Sequence, residues 1–243
     1  MEGTKYRLII YLVLLTSTLY GNTRKDIYDA YINTRMPAWK AIIDQLEIRS
    51  DRNVEEMLEL VNYQYGYIAW CVGNNHKDEA IVYLKKAENN LEWLDAKKTV
   101  LSKVLAYRSA FYGFRIGVNV LKAPFLGPKS SACANQAITI GPDDFFGYIQ
   151  MGNVQFHAPF LMGGSKPEAL KYYLKAKALI QKSRLDYAAD WNYLSLLVSI
   201  AKTYELIEDY IDAKLVYQEI LRVEPEFKWV KDELYPQLLK RLK

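Results

Sequence analysis

Apolar and aromatic residues recur along this chain at intervals of three and four residues, and this spacing constrains the fold more than any other feature. In an α-helix such spacing places the apolar side chains on one face, whereas a β-strand would require alternation. Glycine (12) and proline (8) are scarce in the 243 residues, so few positions interrupt the pattern. No segment is convincing as a strand. The sequence therefore predicts an all-α protein.

The interruptions divide the chain into about eleven helices joined by short turns, an arrangement typical of stacked helical hairpins. Pro124 and Pro128 are expected to break the chain before Ser130, and Asp143 or Asp144 is expected to cap the helix that follows. The predicted helices are Asp26–Asn33, Pro37–Ile48, Val54–Val72, Lys77–Trp93, Ala96–Leu121, Ser130–Ile140, the helix from Asp143 to about Pro159, Glu168–Gln181, Tyr187–Leu206, Tyr210–Val223 and Glu226–Leu242.

The last helical pair before Pro225 carries the clearest internal pattern. Its small, apolar and aromatic residues fall at the spacing of a 34-residue tetratricopeptide (TPR) repeat. They are Leu194, Ile200, Ala201, Tyr204, Ala213, Tyr217, Ile220 and Pro225. Small residues at these positions allow two helices to cross closely, and a large aromatic residue fills the space beside them. The pattern therefore resembles one good TPR copy.

Three weaker copies precede this pair at irregular spacing, and together the four cover about Val61 to Pro225. Their key residues are Ala80, Leu84 and Ala87 in one copy, Ala137 and Pro142 in the next, and Gly152, Ala169, Tyr173 and Ala176 in the third. The resemblance implies a right-handed solenoid of degenerate TPR-like hairpins. It would occupy residues 22–243 and end in a capping helix.

Two further segments are similar to exported bacterial TPR proteins, among them relatives of the periplasmic T component of tripartite (TRAP) transporters. They are Gly152–Gly164 and Phe227–Leu234. The T component is a lipoprotein, but no cysteine follows the N-terminal apolar run of this chain. Direct tethering to a membrane by a lipid is therefore not expected.

The first 21 residues have the layout of a signal peptide. Lys5 and Arg7 precede the uncharged apolar run Leu8–Leu15, and Gly21 offers a small residue for cleavage. We therefore expect an exported protein, periplasmic or secreted. The run is shorter than the roughly 20 residues that a membrane-spanning helix needs, and no second such run follows, so stable membrane insertion is not expected after cleavage. Cys71 and Cys133 could be free thiols or form a bridge.

Charge and motifs argue against several function classes. The 32 basic and 28 acidic residues are mixed along the chain, whereas a nucleic-acid binder would carry a clustered basic face. The two histidines form no zinc-protease pair, and there is no nucleophile elbow or phosphate-binding loop. We therefore predict that the chain is not an enzyme, does not bind nucleic acid and needs no cofactor or metal.

In TPR arrays the first helix of each hairpin lines a concave surface where ligands bind, so the resemblance implies a set of contact residues. These are Arg115, Asn119, Lys122, Gln150, Asn153, His157 and Lys202. Each one alone could be an ordinary solvated helix residue, and His157 could be structural. As a group they are polar and mildly basic, which would suit an acidic small molecule or an acidic peptide end.

Two functions follow from these observations. The first is a scaffold of the cell envelope that presents its concave groove to a protein or peptide partner. The alternative is a periplasmic component that binds a carboxylate or hydrophobic small molecule and is associated with a TRAP-type transporter. A third interpretation, structural assembly through an apolar patch on the terminal helix, competes with the simpler role of that helix as a cap.

Overall fold

The computed structural model describes residues 23–183 and 190–242. This part of the chain is 85% helical, with eleven helices and no β-strand, which confirms the all-α prediction. Among these helices none is both long enough and apolar enough to cross a membrane. The predicted leader, residues 1–21, and the predicted helix start at Tyr187 lie outside the described residues.

The helices follow one another through short connections. Helix α1 is formed by residues 23–32, α2 by Met36–Ile48, α3 by Val54–Gly73, α4 by Lys77–Lys97, α5 by Leu101–Val118, α6 by Ala123–Ile140, α7 by Phe145–His157, α8 by Lys166–Ser183, α9 by Trp191–Leu206, α10 by Tyr210–Val223 and α11 by Tyr235–Arg241. Two 3-10 turns, Val120–Lys122 and Phe160–Met162, precede α6 and α8. A π-helical stretch, Trp229–Leu234, continues directly into α11.

Side-chain caps determine where several helices begin. The Asn53 side chain accepts a hydrogen bond from the backbone N–H of Glu56, and the Glu56 carboxylate accepts one from the backbone N–H of Asn53. This reciprocal pair satisfies two backbone donors that the first turn of α3 leaves free. Asp144 caps α7 as predicted, and Asp209 caps α10, whose predicted bounds are confirmed at both ends.

The predicted break at Pro124 and Pro128 is wrong, because α6 already begins at Ala123. Pro124 lies in the first turn, where a missing N–H costs nothing. Pro128 is inside the helix, but it removes only one backbone hydrogen bond near the N-terminal end. The predicted boundary between the fourth and fifth helices is also wrong. Helix α4 continues past Trp93 and ends beside Lys98, whose φ of 59° is left-handed.

Consecutive helices pack as pairs, α3 with α4, α5 with α6, α7 with α8 and α9 with α10. The small residues of the repeat pattern, Ala87, Ala137 and Ala176, are buried almost completely. Gly152 of α7 lies directly against the ring of Tyr173 in α8, where any side chain would overlap that ring. Small residues therefore permit the close crossings that the pattern predicted.

The two ends of the described chain contact each other. In α1, the ring of Tyr31 lies 5.8 Å from Trp191 and 5.0 Å from Phe227, measured between centroids. The Tyr28 hydroxyl donates a 2.9 Å hydrogen bond to Glu224. In a row of hairpins that contact only their neighbours, these residues would be far apart. The core therefore joins the first helices to the last ones.

The two cysteines are free in the structure. Cys71 is fully buried in α3, and Cys133 is partly buried in α6. Burial raises the pKa of the Cys71 thiol to about 12, so this thiol stays protonated and unreactive at neutral pH. The alternative of a bridge between them is not what the structure shows.

Candidate functional site

The surface on which the resemblance places a concave groove contains a packed aromatic cluster centred on Tyr65 of α3. Its ring lies 5.5 Å from Phe114 of α5, 5.3 Å from Phe146 of α7 and 6.3 Å from Trp191 of α9, between centroids. The first helices of four successive pairs therefore meet around one side chain. Edge and tilted ring contacts of this kind stabilise a core beyond simple burial.

Two predicted contact residues, Gln150 and Asn153, come together beside this cluster. The Asn153 amide donates to the Gln150 side-chain oxygen at 3.0 Å, and its own oxygen accepts from the Tyr173 hydroxyl at 2.8 Å. The Gln150 amide donates to the Tyr65 hydroxyl at 3.4 Å, and Gln150 is almost fully buried. These polar groups satisfy one another inside the fold, as buried amides must.

A cleft of about 510 Å³ lies between α4, α5 and the beginning of α6, which we call the α4–α5–α6 cleft. This volume falls within the range of roughly 300–1,000 Å³ that is typical of small-molecule sites. The lining residues are Glu88, Leu91 and Glu92 of α4, Arg108, Phe111, Tyr112 and Arg115 of α5, Lys122 of the 3-10 turn, and Phe125 and Leu126 of α6. Apolar and aromatic walls thus alternate with charged side chains.

Ion pairs between α4 and α5 hold the basic side chains of the cleft in place. The Arg115 guanidinium donates through Nε and Nη2 to the two carboxylate oxygens of Glu88, both at 2.5 Å. Arg108 donates to Asp95 at 3.1 Å and to Glu92 at 3.2 Å. Such a bidentate pair fixes the orientation of Arg115 and leaves its Nη1 edge available.

Lys122 differs from the two arginines, because no carboxylate within the described residues forms an ion pair with it. The other two cations of the lining are paired, Arg115 with Glu88 and Arg108 with Glu92 and Asp95. The cleft thus has one cation, Lys122, that forms no ion pair within the described residues. A negatively charged group entering it would find an unneutralised ammonium at the rim.

The apolar part of the cleft consists of buried and exposed walls. Leu91 and Phe111 are buried at its base, whereas Phe125 is exposed at its rim. Among the described residues that line the cleft there is no histidine, cysteine or methionine. Nowhere in the described part of the chain do three or more histidine, cysteine or acidic side chains form a group that could hold a metal ion.

The remaining predicted contact residues lie elsewhere or serve the fold. Asn119 accepts a 3.1 Å hydrogen bond from the backbone of Leu121, so it shapes the turn that carries Lys122. His157 packs against Phe156 at 4.9 Å between ring centroids. The Lys202 ammonium lies 4.3 Å above the Trp229 ring, and burial lowers its pKa. The structure thus brings Arg115 and Lys122 to the cleft, with Asn119 beside it.

Sequence reasoning missed Glu88, Arg108 and Phe125 as cleft residues. Glu88 lies on the second helix of a pair, which the TPR resemblance assigns to the outer face. Phe125 lies in the predicted break that the structure replaces with the first turns of α6. The sequence signal that could have indicated this part of the cleft is Phe125 after Pro124, with Lys122 and Lys129 nearby.

A second cavity of about 230 Å³ is lined in part by Phe146 and Trp191 of the aromatic cluster. Three polar atoms there are buried without a hydrogen-bond partner among the described residues, namely Glu59 Oε2, the Tyr63 hydroxyl and Trp191 Nε1. Burial raises the pKa of Glu59 even though Arg24 forms an ion pair with it. Because this cavity is smaller and its net charge is acidic, the larger cleft is the better candidate site.

Comparison with known proteins supports the fold and leaves the family open. No family model matches the sequence, and no curated protein matches it. Among solved structures, the HusA haemophore from Porphyromonas gingivalis is similar, with a TM-score of 0.59 and 18% identity over 76% of this chain and 92% of that chain. At this identity the likeness shows a shared helical fold alone. The TPR and TRAP resemblances find no support from a family model.

Proposed function

We propose that this chain is a non-enzymatic binding protein that holds a small, apolar molecule bearing carboxylate groups in the α4–α5–α6 cleft. The observation that carries the proposal is the cleft itself, which combines apolar walls with three basic side chains in about 510 Å³, one of which, Lys122, forms no ion pair within the described residues. Apolar contact would supply most of the affinity, and the basic groups would orient the ligand. No bond is made or broken in this function.

The similarity to a haemophore suggests a class of ligand. Haem is a flat apolar ring with two carboxylates on one edge, which is the chemistry that the cleft would accept. The ring would lie against Phe111 and Phe125, and the carboxylates would pair with Lys122 and the free edge of Arg115. Glu88 would hold Arg115 in the orientation that this pairing needs.

The lining also indicates whether a side chain would coordinate the iron of haem. It contains no histidine, cysteine or methionine among the described residues, and Tyr112 is the one lining side chain with a hydroxyl group. Recognition through the ring and its carboxylates is therefore the simplest mode, and among the described lining residues the Tyr112 phenol is the group best suited to bind the iron. We expect metal-free protoporphyrin to bind about as well as haem.

The alternative in which a concave groove receives a protein or peptide is less well supported. The surface it needs is occupied by the aromatic cluster around Tyr65, and Gln150 and Asn153 are engaged in hydrogen bonds within the fold. Export directed by residues 1–21 and association with a TRAP-type transporter remain part of the proposal. So does a right-handed array of TPR-like hairpins over residues 22–243, here with its first and last helices in contact. They rest on the sequence patterns described above.

A binding titration tests whether the cleft holds such a ligand. Protoporphyrin is added to the chain from residue 22 onward, and binding is measured as quenching of tryptophan fluorescence. Lys122→Gln is expected to weaken binding by roughly three- to tenfold, because it removes a partly exposed charge-assisted contact. Phe125→Ser is expected to weaken it by about tenfold or more through lost apolar contact. Lys85→Gln, an exposed lysine of α4 outside the lining, is the matched control and should bind normally.

Two results would contradict the proposal. One is saturable binding that responds equally to the cleft variants and to Lys85→Gln, because the ligand would then sit elsewhere. The other is the absence of saturable binding for both haem and protoporphyrin, because tetrapyrroles would then be excluded as ligands of this protein. A porphyrin ester that lacks free carboxylates should bind more weakly than the acid if Lys122 acts as proposed.

A further inference from the structure

The tetrapeptide Ala-Pro-Phe-Leu occurs twice in the chain, as Ala123–Leu126 and as Ala158–Leu161. The first copy follows the turn that joins α5 to α6, and the second forms the turn that joins α7 to α8. The same four residues therefore occur between the two helices of one hairpin and at the start of the second helix of the hairpin before it. We call these segments, with the adjoining 3-10 residues, the apolar turns.

The apolar turns expose large hydrophobic side chains. Six of them have between 59% and 95% of their surface accessible, namely Val120, Leu121, Phe125, Phe160, Leu161 and Met162. Exposed apolar side chains gain no free energy from burial when the chain folds. Their concentration in two short segments is typical of a surface that binds another apolar surface. A turn that served only to reverse the chain would not need phenylalanine and leucine.

Both apolar turns emerge at the same end of the molecule. At the beginnings of α5 and α7, the Ser102 hydroxyl donates to the Asp144 carboxylate at 3.1 Å. Nearer their ends, Phe114 of α5 and Asn153 of α7 both contact Tyr65. The two helices therefore run in the same direction, and their C-terminal ends are neighbours. Helix α3 ends at this face too, because a side chain at Gly117 of α5 would lie 2.6 Å from Val72.

Charge distinguishes these turns from their neighbours. Residues 119–130 and 157–167 contain no aspartate or glutamate, whereas Lys122, Lys129 and Lys166 belong to them. The two flanking hairpin turns are polar, with Asn74 and Asn75 in one and Glu208 and Asp209 in the other. The apolar and basic surface is thus confined to the two central hairpins.

We propose that the apolar turns dock the protein on the surface of an anionic lipid bilayer. Phenylalanine, leucine and methionine would enter the interfacial region while the exposed Lys122 and Lys129 pair with lipid headgroups. A protein partner is less suited to this composition, because protein hot spots are rich in tryptophan, tyrosine and arginine, and none of the six exposed side chains is of these types. The attachment is peripheral and reversible. Because Lys122 and Phe125 of the first apolar turn also line the α4–α5–α6 cleft, the second turn, with Phe160 and Leu161, tests the attachment separately from the ligand.

Vesicle flotation tests this inference with the chain from residue 22 onward. Vesicles of phosphatidylglycerol and phosphatidylethanolamine should carry the protein to the top of the gradient, and neutral phosphatidylcholine vesicles should carry much less. The double variant Phe160→Ser with Leu161→Ser should lower the partition coefficient at least about tenfold. Neither residue lines the α4–α5–α6 cleft, so protoporphyrin binding should remain unchanged.

Ile48→Ser is the matched control, because Ile48 is 85% exposed but lies at the end of α2, away from the apolar turns. It should float like the unaltered chain, and all variants should keep the same melting temperature. Failure of the unaltered chain to float, or flotation of the double variant at the unaltered level, would overturn the proposal. Equal flotation with both kinds of vesicle would contradict the proposed preference for anionic lipids. Capture of a protein that depends on Phe160, without vesicle binding, would replace the bilayer with a protein partner.

Discussion

At the scale of single residues, Gly152 shows how side-chain size determines the packing of this fold. Gly152 lies in α7 directly against the ring of Tyr173, which extends from α8. The Tyr173 hydroxyl donates a hydrogen bond to Asn153. The ring fills the space that any other residue at 152 would need. Because Tyr173 is almost fully buried and hydrogen bonded, it has little freedom to move aside.

Gly152→Ala should therefore destabilise the protein by about 1–3 kcal/mol through overpacking, although alanine favours helix more than glycine does. Gly113→Ala is the control, because a side chain at Gly113 of α5 would meet open space. That variant should be neutral or more stable by up to ~1 kcal/mol. Urea unfolding followed by circular dichroism measures both, and equal stability of the two variants would contradict the tight crossing.

At the scale of helices, α10 provides the sharpest contrast between a packed face and a free face. Ala213 is fully buried, whereas Leu215, two residues along the same helix, is more than half exposed. Helix α10 packs mainly against α9. The repeat pattern predicted a small residue at 213, and the burial of Ala213 agrees with it.

Ala213→Trp should destabilise the fold by roughly 1–3 kcal/mol or more, because the crossing has no room for an indole ring. Leu215→Trp places the same residue on the exposed face and should leave the melting temperature nearly unchanged. If both variants melted alike, the assignment of the repeat positions in this pair would be wrong. Thermal melts of the two variants at the same protein concentration measure this difference.

At the scale of the whole molecule, a ring cluster links the N-terminal helices to the C-terminal ones. Trp39 of α2 lies 5.0 Å from Trp191 of α9, and Tyr31 of α1 lies between Trp191 and Phe227. Phe227 itself is fully buried. Contacts of such long sequence separation make the stability of the first helices depend on the last part of the chain.

Phe227→Ala should therefore cost about 3–5 kcal/mol, the usual range for truncation of a buried phenylalanine. It should also speed amide hydrogen exchange in α1, more than 190 residues away in sequence. Phe160→Ala is the control, because Phe160 is exposed and should affect neither quantity. Unchanged exchange in α1 alongside a clear loss of stability would show that the two ends unfold independently.

The helical class and the positions of most helices could be predicted from the sequence. Helix formation depends on neighbours three and four residues apart and on caps such as Asn53 and Asp144, so this information is local. Small residues at helix crossings could be recognised for the same reason. The break predicted at Pro128 failed because a proline excludes only one hydrogen bond, and packing of the rest of α6 outweighs that loss.

The location of the candidate site, by contrast, depends on how the helices pack and could not be predicted from the sequence. The α4–α5–α6 cleft combines Glu88, Arg115 and Phe125 from three helices, and no local pattern shows that these side chains meet. Of the seven predicted contact residues, Arg115 and Lys122 line the cleft, while Gln150 and Asn153 satisfy each other inside. A site formed by convergence depends on how the helices pack in space, whereas the helices themselves depend on residues that are close in sequence.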